Sequence, residues 1–332
     1  MANRQLPKAS EEEVQRRERE YWKGKIHAIF TDWRLYLLLL PLAFFFIVWK
    51  YIPIGTMIRS FKDYKIDSSF GGGAFTSDFI GFYSFQFLFH QTKFWQAFRN
   101  TFLLSFYGLV FGFPFPIILA LFFSEIRCRF FRSVSQVLCY LPKFISLVVR
   151  TTIISRLLAS SSQLSAAGPI AALFENRGSK ELLTNAKAFR SIYTVSGIWQ
   201  EAGYGSIVYF AAILGISPTN YEAARIDGAT KRQQIRYVTL PGRTSTLAIR
   251  LILKIGALLT VGYEKVYLLQ QLGAPRETSE TVSTYVINTF MGQANANQGM
   301  GAAADRFNSL LSMVLVIGAN RVSKRVSSAS LY

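Results

Sequence analysis

The residues of this chain whose types and spacing most directly suggest chemistry lie in one polar stretch, 217–242, reading SPTNYEAARIDGATKRQQIRYVTLPG. Glu222, Ala223 and Ala224 are followed by Asp227 and Gly228, then by Val238, Leu240 and Pro241. A carboxylate at 222 can take a charge-assisted hydrogen bond from a cation on another surface, and the neighbouring alanines let that surface come close. Gly228 is placed to stop a helix, since glycine enters the left-handed region without steric cost. Together these residues should form a helix-turn-helix lying outside the membrane.

A second group consists of charges inside apolar runs. Arg250 and Lys254 are four apart and share a helical face; Lys143 and Arg150 share another, with Arg156 beyond them. Glu201 and Glu264 also fall in apolar surroundings. Each such charge costs about 2.5–3.5 kcal/mol at the centre of a membrane helix, so it should face protein or water rather than lipid. Snorkelling or pairing explains Lys143, Arg156 and Arg250 adequately, and Arg150 and Lys254 less well. A pair between Glu264 and Lys254 or Lys265 would be purely structural. Trp199, Tyr204, Tyr209 and Tyr263 offer ring faces that suit a sugar, although such residues more often form interfacial belts or helix packing.

Catalytic groupings are missing. No G-x-x-x-x-G-K-[ST] loop occurs, so the chain lacks that means of holding a nucleotide. His27 and His90 are far apart and fall in different compartments of the topology below, which leaves no metal cluster or nucleophile–base pair to assemble. Cys128 and Cys139 are expected near the cytoplasmic face, as reduced thiols. The expectation is a non-enzymatic chain with no metal and no bound cofactor.

The positioning elements follow from composition. Hydrophobic residues make up 51% of the chain and charged ones only 17%, with 29 Phe and 16 Tyr, too apolar for an ordinary soluble domain. Residues 101–123 contain no charge and as a helix would measure about 34 Å, enough for about 30 Å of hydrocarbon. Further spans are expected at 35–52, 134–158, 192–216, 244–268 and 301–320, giving an all-α integral membrane protein with six core helices. Basic clusters before the first span, after the second, in 217–242 and after the last put both termini in the cytoplasm. The net charge of +18 is therefore a membrane signature and not a nucleic-acid one. Residues 1–34 read as a mixed-charge cytoplasmic segment without a cleavable signal, 35–325 as the membrane domain and 326–332 as a cytoplasmic tail. Ser217 and Pro218 should start a short helix, and 229–238 a second. Outside, Gly71–Gly73 suggest a turn and 79–98 an amphipathic helix at the interface.

The spacing of Glu222, Ala223, Ala224, Gly228, Val238, Leu240 and Pro241 resembles the EAA loop of binding-protein-dependent ABC importers, departing from it only in Val238 where isoleucine is usual. The runs GFPFPIILALFFSEIR, YLPKFIS, SGIWQEAGYGSIVYFAAIL and VGYEKVYLL are similar to the oligosaccharide and polysaccharide permease branch, and the resemblance covers most of the chain from about residue 33. It implies a type I importer permease in a bacterial cytoplasmic membrane, paired with a second, homologous and non-identical permease subunit, two ATPase subunits that hold ATP and Mg, and an external solute-binding protein that delivers a carbohydrate. In that family the 217–242 loop docks on the ATPase and the fourth and fifth spans help to form the cavity.

The resemblance makes Arg250 and Lys254 a departure, because the corresponding stretch is usually apolar. A path lined by Arg150 and Lys254 calls for an anionic substrate, such as a uronic-acid polymer of the alginate or pectin kind. An ion-gradient-driven secondary transporter is the alternative. It would call for paired intramembrane acids and no cytoplasmic docking loop.

Overall fold

A computed structural model describes residues 25, 31–63, 77–159, 168–170, 172, 182–291 and 298–326. Almost all of these are helical, and among them the only β pairing is an isolated antiparallel bridge between Lys62 and Phe79. Most of the expected N-terminal segment, Gly71–Gly73 and residues 327–332 of the tail lie outside the described residues. The chain divides into two units, 1–58 and 59–332.

The first unit contains α1 (Trp33–Phe46), which runs on through a π turn, Ile47–Tyr51, into a 3-10 helix. Leucine and phenylalanine occupy every side of α1, and it buries none of them against its own chain. A helix apolar all round needs an apolar environment, which a bilayer supplies.

In the second unit α2 (Tyr83–His90) leads into α3 (Thr92–Val110) and α4 (Pro114–Glu125), and residues 92–125 form one apolar rod of 34 residues. The helix thus begins nine residues before the expected 101. The aromatic run at 79–98 does not form one helix lying alone at an interface. It divides between α2 and the first turns of α3, and Leu88, Phe94 and Ala97 are buried with Val282, Tyr285, Phe290 and Ala304.

The expected span 134–158 is a bent pair. Helix α5 (Arg129–Phe144) and α6 (Leu147–Leu158) meet at 100°. Pro142 weakens the end of α5, and Ser146 caps α6 by accepting from the Val149 N–H at 3.3 Å. Helix α7 (Ala186–Leu214) is the central element, packed against α3, α4 and α5. Its Gly203 lies on the Cys139 carbonyl, with no space for a Cβ. Helix α8 (Pro218–Ile226) turns 70° from α7, and α9 (Lys231–Gln234) follows.

The expected span 244–268 is also broken, into α10 (Thr244–Gly256) and α11 (Tyr263–Gln271). Helix α12 (Arg276–Ser279), α13 (Val282–Val286) and the long α14 (Gln298–Val326) complete the order. Carbonyls freed by the break at 257–262 are taken up by neighbours: Asn308 Nδ2 on α14 donates to Leu259 O at 2.6 Å, and Ser283 Oγ to Val261 O at 3.2 Å. Broken helices are tolerated at membrane depth where other protein groups satisfy the backbone in this way. Among the described residues three rods (33–61, 92–125 and 299–324) are long and apolar enough to cross a membrane, and each of the two bent pairs (129–144 with 147–158, and 186–214 with 218–226) could supply one more.

Candidate functional site

The loop at 217–242 is built by its own local chemistry. Ser217 is the N-cap of α8 and Pro218 its first residue, as expected, but the Ser217 hydroxyl bonds to Thr219 Oγ1 at 2.7 Å instead of to the backbone. Gly228 has φ +75°, and around it the Ala229 N–H reaches Ala224 O at 2.9 Å while its own N–H reaches Arg225 O at 3.0 Å. These two bonds form a Schellman stop, which takes up carbonyls the helix end would leave bare. Helix α9 opens on a capping box: the Thr230 N–H donates to Gln233 Oε1 at 2.7 Å. It passes into a π turn, Ile235–Thr239, where the expected second helix was to end near 238. Tyr221 and Thr239 share a hydrogen bond at 3.0 Å, so the two arms are tied. Lys231 Nζ lies 2.9 Å from Glu125 Oε2 at the end of α4.

Helix α8 buries none of its residues in this chain. Glu222 and Ala223 are exposed, Ala224 is half-buried, and Asp227 and Gly228 are exposed beyond them. Leu240 is half-buried and Pro241 exposed, at the turn into α10. Ile226 is 87% exposed and Tyr237 67%, which gives the loop an open apolar edge beside its charges. Such an edge is what a protein partner covers.

The charged residues of the apolar runs form a second constellation. Lys143, in the last turn of α5, donates to Glu201 Oε1 at 2.6 Å, and Gln200 Nε2 donates to the same oxygen at 3.1 Å. Glu201, Lys254 and Lys265 border one cavity of about 310 Å³ between α3, α7 and the α10–α11 break. Lys265 Nζ donates to Tyr193 O at 3.1 Å and lies 4.4 Å from the Tyr193 ring centroid. Helix α6 packs on α11 and carries Arg150, which is buried, and its Nε and Nη1 reach no acceptor. One carboxylate therefore stands among several cations.

The remaining candidates are spread more widely. Tyr204 receives Lys143 over its ring at 5.9 Å and stacks edge-on with Phe144. Trp199 borders a separate, mainly apolar cavity of about 860 Å³ between α4, α5 and α7. Tyr209 is buried and packs edge-on against Phe113, away from the Glu201 cavity. Arg250 is exposed on α10, and Tyr263 and Glu264 are exposed at the start of α11. Glu264 pairs with neither Lys254 nor Lys265. Lys265 is the residue that sequence reasoning passed over, since it stood beside Glu264 as a mere neighbour. Lys143 as the partner of Glu201 had no local signal at all, because the two are 58 residues apart. Among the described residues no group of acidic, histidine and cysteine side chains could hold a metal.

Residues 112–328 match the family described as binding-protein-dependent transport system inner membrane component. The chain is 34% identical over 300 residues to the polygalacturonan/rhamnogalacturonan transport system permease protein YteP of Bacillus subtilis (strain 168), covering 90% of each. It is 32% identical over 307 residues to protein LplB of the same organism, covering 92% of this chain and 93% of that one. Its fold matches a chain in the crystal structure of a bacterial ABC transporter involved in the import of the acidic polysaccharide alginate, with a TM-score of 0.79 and 36% identity over 93% of this chain and 99% of the other. These similarities support the ABC-importer reading and not the ion-gradient alternative. The chain belongs to the binding-protein-dependent transport system inner membrane components, as a permease subunit of an ATP-driven ABC importer.

Proposed function

We propose that the importer carries an acidic oligo- or polysaccharide, a uronate polymer in particular, and that Lys143, Arg150, Lys254 and Lys265 attract its carboxylates. The observation that carries this reading is the cavity where Glu201, Lys254 and Lys265 converge, with Lys143 already bonded to Glu201. A mobile carboxylate entering this space meets Lys254 and Lys265, the latter held on the Tyr193 carbonyl, and charge attraction strengthens where water is scarce. The relatives named for polygalacturonan, rhamnogalacturonan and alginate support the same substrate class.

The subunit works with others. A second, non-identical permease subunit completes the path, two ATPase subunits bind ATP and Mg and hydrolyse the nucleotide, and a solute-binding protein delivers the glycan from outside. A structure of the alginate importer with an alginate pentasaccharide-bound periplasmic protein supports the last of these. Helix α8, with Glu222 exposed and Gly228 fixing its stop, receives closure of the ATPase dimer and passes it through α7 and α10. The cavity then opens alternately to either side of a bacterial cytoplasmic membrane, with the α8 loop and both termini inside.

The test is reconstitution. The permease pair, its ATPases and its binding protein in proteoliposomes should accumulate uronate oligosaccharides in an ATP-dependent way and neutral ones of equal length poorly. Equal uptake of both overturns the acidic assignment.

A further inference from the structure

A second cleft, of about 600 Å³, lies between α3, α7 and α12, and none of the residues proposed above for the substrate path borders it. Its walls include Trp95, Gln96, Arg99, Arg190, Glu277 and Thr278. Side-chain amides tie its walls together: Gln96 Nε2 donates to Glu277 O at 2.9 Å, and Asn100 Nδ2 donates to Glu277 O at 2.9 Å and to Glu280 O at 3.2 Å. Arg190 Nη2 donates to Asn100 Oδ1 at 3.2 Å. These bonds pin α12 and α7 to α3.

Polar capacity remains after that pinning. Arg190 Nε and Thr278 Oγ1 are shielded from solvent and have no partner. Buried polar atoms without partners are uncommon, and one explanation for them is a ligand site. Trp95 has its Nε1 committed to Phe89 O at 2.9 Å and its ring steadied by Phe89 at 5.9 Å, yet it is still 45% exposed. Arg99 is four residues on, hence on the same helical face, and is exposed. A fixed aromatic face with guanidinium groups and unfilled hydrogen-bonding atoms beside it has the chemistry of a saccharide site for an acidic sugar. Glu277 adds an acceptor for sugar hydroxyls.

We infer that this cleft is a distal subsite for a uronate-bearing chain, distinct from the Glu201 cavity and engaged only by longer substrates. The inference rests on the acidic-glycan reading. Arg190 lies one turn of α7 before Tyr193 and Thr194, which border the Glu201 cavity, and it also borders the separate cavity of about 860 Å³ that contains Trp199 and Lys187. It stands near the start of α7, whereas the α8 loop follows that helix's other end, roughly 36 Å along the axis. The cleft is thus at the face remote from α8, where a polymer would be held while its leading residues occupy the interior.

The experiment measures uptake by the complete importer with its binding protein, using uronate chains from dimer to octamer and neutral chains of matched length. Arg99→Gln, at an exposed position, should raise the half-saturating concentration several-fold for long uronate chains and leave the dimer and the neutral chains unchanged. Trp95→Leu should weaken long chains of both kinds, with dimers unaffected. Unchanged kinetics with long uronate chains in Arg99→Gln overturns the subsite. So does an equal loss for every length and charge, which would mark the cleft as a docking surface for the binding protein. If the wild-type importer takes up no uronate chain, the acidic-glycan reading falls with it, whereas failure of the variants alone strikes only the subsite.

Discussion

Lys143 Nζ and Glu201 Oε1 lie 2.6 Å apart, joining the end of α5 to the middle of α7 at the point where α5 gives way to the 100° bend. The pair fixes a broken helix to the central one and leaves the other cations of the cavity without a second carboxylate. Neutralising Lys143 or Glu201 singly should reduce the amount of permease in the membrane a few-fold, because each leaves a charge unpaired. The double exchange Lys143→Glu with Glu201→Lys should restore much of that amount, as read by quantitative immunoblotting of membranes. No recovery in the exchange variant would mean that the pair does not hold α5 to α7.

Coupling should depend on Glu222 and Gly228 and not on their presence for folding. Glu222→Lys reverses an exposed charge, and Gly228→Val puts a β-branched residue at φ +75°, a strain of about 1–3 kcal/mol. Both variants should insert normally and lose most of their uptake and substrate-stimulated ATP hydrolysis in proteoliposomes. Full coupled transport in both would remove the loop from the mechanism.

The break between α10 and α11 should depend on Asn308. Asn308→Leu leaves the Leu259 carbonyl without its 2.6 Å donor in a buried site, a loss of about 1–3 kcal/mol. A lower thermal midpoint of the detergent-solubilised subunit is the expected result, whereas Asn308→Asp, lacking the amide donor, should fall as far. An unchanged midpoint in both would show that water or another group satisfies that carbonyl.

Much of this was legible in the chain. The Ser217–Pro218 start, the Gly228 stop and the exposed Glu222 follow from local rules, because a short surface loop answers mainly to its own backbone chemistry. The capping box of Thr230 and Gln233 was missed, although their three-residue spacing carries that signal. The bends at 145–146 and 257–262 were not legible, since hydropathy averages over a break when both halves are apolar. Their stability comes from distant groups such as Asn308. For the same reason the pairing of Lys143 with Glu201, the placing of Lys265 on Tyr193 and the retreat of Tyr209 into packing against Phe113 depend on which helices meet, and periodicity does not encode that.

The central claim is that cations of the Glu201 cavity recognise an acidic glycan. The most direct measurement is the uptake of size-matched uronate and neutral oligosaccharides by importers carrying Lys254→Gln or Lys265→Gln, normalised to permease in the membrane. Each change removes one positive charge while leaving a polar side chain. The account predicts a loss of about tenfold or more for the uronate chain, equivalent to about 1.4 kcal/mol, with little change for the neutral one. Equal losses for both substrates, or none for either, would contradict it.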